Sequence, residues 1–114
     1  MRDPAFYRVR DMIKHWGYLV RRDNRHETMY SRQPFIDGQG VQRVVVHDEP
    51  WPDDVQVIDG IVRTMPRYLS GPVWMKFVWM QKDKQSARDI NQSLGEFRNR
   101  VDRAVWYVVG RIDG

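Results

Sequence analysis

Arg98 and Asn99 stand side by side in a run from Ser93 to Val105, and they are two side chain types suited to reading base pairs. A guanidinium can donate to both major-groove acceptors of guanine, and a carboxamide can pair with adenine. Arg100 and Arg103 flank them and suit phosphate oxygens. Lys82, Lys84, Gln85 and Arg88, just upstream, could brace the DNA backbone, with Ser93 in the first turn completing the candidate DNA-binding set. Glu96 and Asp102 lie in the same stretch and oppose this chemistry, because a carboxylate near phosphates costs affinity unless it is paired.

Such side chains read DNA only if a helix carries them into a groove, and the residues around them predict that helix. Ala87 is followed four residues later by Asn91 and, six after that, by Phe97. This is helix-turn-helix spacing: a small side chain where two helices cross, a residue tolerant of the left-handed conformation in the turn, and a large apolar residue that pins the second helix. Leu94, Phe97, Val101, Ala104, Val105, Val108 and Ile112 form one apolar stripe, which leaves Arg98, Asn99 and Asp102 on other faces. The motif is expected over about 84–109. The competing reading of the same spacing is a helical hairpin in an ordinary bundle, with solvated arginines.

The rest of the chain reads as further helices around one core. Phe6, Val9, Met12, Ile13, Trp16, Leu19 and Val20 recur at threes and fours, predicting a first helix within 1–23, in which Gly17 marks a close crossing. Residues 24–52 contain Pro34, Gly38, Gly40, Pro50 and Pro52, and read as a long irregular loop, with Val41 to Val46 as its only strand-like stretch. Pro52, Asp53 and Asp54 supply a helix start for a second helix to about Met65, and Pro66 should end or kink it. Ser70, Gly71 and Pro72 predict a turn, Val73 to Met80 a third helix, and Lys84 to Ile90 a short one ahead of the long final helix. The expectation is a small all-α domain over 1–114, with a helical core at 53–114.

Composition narrows the function classes. The 114 residues carry a net charge of +4, with basic ends around an acidic middle, which fits a polyanion or an acidic protein partner. The absence of cysteine removes disulfides, thiolate metal sites and cysteine nucleophiles. No apolar run approaches the length of a membrane span, and the charged N-terminus is unlike a signal peptide, so no membrane partner is expected. His47, Asp48, Glu49, Asp53, Asp54 and Asp59 are possible ligands for a metal-dependent nuclease, but their spacing matches no defined ligand motif, so no metal or cofactor is expected. His15 reads as structural, near the apolar face of the first helix. Trp74 suits the core, whereas Trp79 and Trp106 read as partly exposed, where a protein partner or a second copy in a homodimer could cover them.

The run from Ser93 to Ala104 resembles the recognition helix of sigma factor region 4, with Ser93, Phe97, Arg100, Val101, Arg103 and Ala104 in register. Glu96 and Ser86 depart from that pattern, which usually has a threonine and an apolar residue there. Over the whole chain, the order of features is similar to the short form of the lambdoid phage antitermination protein Q family: an N-terminal helix ending in Trp16 and Gly17, a loop, an acidic helix start at Asp53 and Asp54, and a C-terminal helix-turn-helix. That resemblance implies a cytoplasmic protein of a bacterial host cell that binds double-stranded DNA at a phage late promoter. It also implies a partner, the bacterial RNA polymerase holoenzyme, which such proteins modify so that terminators are read through. The zinc site of the long forms has no counterpart in a chain without cysteine. The alternative from the residues alone is a helix-turn-helix repressor or activator.

Overall fold

A computed structural model describes residues 3–23 and 50–113 of the chain. The interior of the expected loop, the strand-like stretch Val41 to Val46, and His47, Asp48 and Glu49 lie outside the described residues.

Helix α1 spans Pro4–Arg22. The Asp3 carboxylate accepts the Ala5 N–H at 2.8 Å, Pro4 fills the first helical position, and Arg21 and Arg22 sit at the negative end of the helix dipole. Phe6, Val9, Ile13, Trp16, Leu19 and Val20 are buried, as their spacing predicts. His15, read from sequence as near the apolar face, is instead exposed. Helix α2, Asp53–Thr64, starts behind Pro52 with Asp53 and Asp54 in its first turn, and buries Val55, Ile58 and Val62. It stops where Met65 turns extended (ψ 156°) ahead of Pro66, the conformation that a following proline favours.

The turn expected at Ser70, Gly71 and Pro72 is not there. Helix α3 spans Arg67–Val73 and runs on through Trp74–Val78 as a π-helical turn, in which the Trp79 N–H reaches back five residues to the Trp74 carbonyl at 2.9 Å. Pro72 contributes no N–H, yet Leu69, Pro72, Val73, Trp74, Phe77 and Val78 are all buried. A proline in a helix interior costs about 3 kcal/mol, and burying several large apolar side chains at roughly 1.5–3 kcal/mol each outweighs it. The chain leaves this helix at Trp79 and Met80, and Met80 adopts a left-handed backbone (φ 56°).

Two contacts fix α1 against this helix. A Cβ on Gly17 would collide with the Phe77 carbonyl group, whose carbon would lie 2.7 Å away, so only glycine allows the approach. One turn later, Arg21 Nη1 donates to the same Phe77 oxygen at 2.6 Å and more weakly to Val78 O at 3.4 Å. Elsewhere, Trp16 Nε1 donates to Asp59 at 2.9 Å and Trp51 Nε1 to Asp23 at 2.7 Å. Trp51 is buried, so the end of the stretch read as loop is part of the core.

Candidate nucleic-acid interface

Helix α4, Asp83–Asp89, and helix α5, Leu94–Asp113, form the helix-turn-helix expected from the spacing. Ala87 and Phe97 are buried where the helices meet, and Asn91 is left-handed at φ 60°. The turn has a defined hydrogen-bond pattern: the Gln92 N–H donates to Ala87 O at 2.9 Å and the Asn91 N–H to Arg88 O at 3.0 Å. This is a Schellman closure, which satisfies two carbonyls that a helix end would otherwise leave open. Two residues later the Ser93 hydroxyl accepts the Glu96 N–H at 3.0 Å and starts α5. Ser93 therefore serves first as a helix cap.

Anchoring comes from the stripe on α5, where Phe97, Val101, Ala104, Val105 and Val108 are buried and α5 packs on α1, α2, α3 and α4. At 3.6 residues per turn, Gly95, Arg98, Asn99 and Asp102 share about one third of the helix circumference. Arg98 is 62% exposed, and its Nε donates to Asp83 Oδ2 at 3.1 Å. Because that bond uses Nε, the two terminal nitrogens stay available for a pair of acceptors such as guanine presents. Asp83 also accepts from Lys76 Nζ at 3.0 Å. Partial burial works against its charge, but the hydrogen bonds and charges of Lys76 and Arg98 prevail and hold its carboxyl below the usual aspartate range.

The other candidates fall into two groups. Lys82, Lys84, Arg88, Asn99 and Arg103 are exposed, and Gln85, also exposed, donates to Asp89 at 2.8 Å. Arg100 differs, being 22% exposed: its Nε donates to Glu96 at 3.1 Å and its guanidinium lies 6.0 Å from the centre of the Tyr68 ring. That places Arg100 towards α3 rather than beside Arg98. The pairing also neutralises Glu96, one of the two carboxylates that opposed a DNA contact. Ser86, at the other departure from the sigma pattern, is fully buried and donates to Gln81 Oε1 at 2.9 Å. A polar side chain occupies this normally apolar site because Gln81 satisfies it.

Lys76 and Asp83 were not singled out from the sequence, since neither belongs to the helix-turn-helix spacing and their pairing depends on where the π-helical turn ends. Among the described residues no group of acidic or histidine side chains gathers as a metal site, and Asp59 accepts hydrogen bonds from Trp16 and Arg63. No helix among them is long and apolar enough to cross a membrane. Trp79 and Trp106 are 44% and 41% exposed, whereas Trp74 is buried. Comparison with protein families, with characterised proteins and with solved structures finds no match to this chain.

Proposed function

We propose that this protein binds double-stranded DNA through α4 and α5 and acts as a transcription antitermination factor of the phage Q type on the RNA polymerase holoenzyme. The observation that carries the DNA reading is the presentation of Arg98. It is an exposed guanidinium steadied by Asp83, next to exposed Asn99, on a helix fixed by a Schellman turn and a buried stripe. Arg88, Arg103, Lys82 and Lys84 supply exposed cations around it for phosphates.

The polymerase part of the reading is supported by the order of sequence features shared with the Q family and by surface that DNA binding does not need. Trp79 and Trp106 leave large apolar area on that surface, suited to a protein partner. In a purified transcription reaction with a phage late promoter and a downstream terminator, the protein should raise readthrough without abolishing initiation. Blocked initiation with unaltered termination would make it a repressor, and metal-dependent cleavage of the template would make it a nuclease.

A further inference from the structure

A cleft of about 360 Å3 opens between α1 and the π-helical end of α3, lined by Arg10, Lys14, Arg21, Lys76, Phe77 and Met80. Four of those six residues are cations and none is acidic. A smaller recess of about 180 Å3 adjoins it, lined by Arg10, Lys76, Asp83, Arg98, Val101 and Asp102. Arg10 and Lys76 line both, so the recess, where Asp83 and Asp102 stand among Arg10, Lys76 and Arg98, joins Arg98 on the recognition helix to the cationic cleft beside Lys14 on α1. We propose that this cleft holds the phosphate backbone of the same duplex whose bases the α5 face reads, which makes α1 a second arm of the DNA interface. The inference rests on the DNA-binding reading above.

Three of the four cations are positioned rather than loosely solvated. Arg21 is held by the Phe77 carbonyl, Lys76 by Asp83 at 3.0 Å, and Arg10 lies 5.7 Å from the centre of the Phe77 ring. Arg10 and Lys14 are four residues apart on α1, a spacing at which like charges repel, and Arg21 lies two turns beyond Lys14. The repulsion between Arg10 and Lys14 costs the isolated fold, whereas a bound polyanion neutralises it and releases counterions. Exposed Met80 adds apolar surface suited to the carbon face of a sugar. The floor is rigid, because the Gly17 approach and the Arg21 hydrogen bond both fix the Phe77 carbonyl.

Lys14 gives the cleanest test because it is exposed and makes no ion pair among the described residues. Full-length wild type, Lys14→Glu and Arg10→Gln would be measured by fluorescence anisotropy over a salt series. The probes are a duplex selected by the protein from a random-sequence pool, a scrambled duplex, and a single-stranded RNA of the same length. Both variants should weaken the two duplexes by the same factor. The slope of log affinity against log salt should fall by about 1 for Arg10→Gln, and by at least that for the charge reversal. A thermal melt of Lys14→Glu matching wild type separates this effect from misfolding. Wild-type affinity and slope in both variants, or a loss confined to the RNA, would overturn the second arm alone. A wild-type protein that binds no duplex would overturn the DNA reading and this inference together.

Discussion

Arg21 and Arg98 are the same residue type put to opposite uses. Arg21, at the end of α1, points its guanidinium at the Phe77 and Val78 carbonyls where the π-helical turn leaves backbone acceptors open. Arg98, on α5, is 62% exposed and bonded through Nε to Asp83. A guanidinium on backbone carbonyls works as a cap that locks two helices. One on a carboxylate, with its terminal nitrogens outward, is presented to solvent. The count of arginines says little about a partner, while the atom each arginine bonds to says much.

The largest expected effect attacks the locked side. Gly17→Ala forces a methyl group into the Phe77 carbonyl and should destabilise the fold by roughly 3 kcal/mol, read as a lower urea midpoint. Arg21→Ala leaves the same carbonyl without its charged donor and should cost about 2 kcal/mol in the same titration. Well below their midpoints, both variants should keep the wild-type preference between specific and scrambled duplexes. A changed preference at unchanged stability would break the comparison by giving the capping side a role in base reading.

The turn tests how firmly the presented side is held. With Asn91 at φ 60°, Asn91→Val should lose roughly 1–2 kcal/mol, whereas Asn91→Gly should match or exceed wild type. Equal stability of the valine and glycine variants would contradict a left-handed turn. The smallest effect concerns Asp83, whose folded carboxyl titrates below its ordinary value of 3.8. Its contribution to stability is present above that value and disappears as the pH falls through the lower folded one. Urea titrations at about pH 5 and pH 3 should therefore show the gap between wild type and Asp83→Asn narrowing at the lower pH. A gap that stays constant would deny the carboxylate its role in steadying Arg98 and Lys76.

The motif was legible because its demands are local. A small residue at the crossing, a left-handed turn and a pinning phenylalanine are fixed by backbone geometry at fixed offsets, and Ala87, Asn91 and Phe97 take those places. Gly17 was readable as a close crossing for a similar reason, although its partner was not. The error at Ser70, Gly71 and Pro72 came from weighing local propensity alone, when burial of the helix face from Leu69 to Val78 overrides it. Trp51 in the core, Asp83 between Lys76 and Arg98, and Arg100 against Tyr68 depend on tertiary proximity or on a choice of rotamer. Sequence spacing carries no signal for either.

The role of Arg98 as a base-reading residue is tested most directly by comparing wild type with Arg98→Ala on a selected duplex and on its single-base-pair variants by fluorescence anisotropy. If the exposed guanidinium reads a base, the variant should lose roughly 1–3 kcal/mol of discrimination at one base pair and keep its discrimination elsewhere. The salt dependence should change little. Equal weakening on every sequence would make Arg98 a phosphate contact, and unchanged binding throughout would contradict the assignment of α5 as the reading helix.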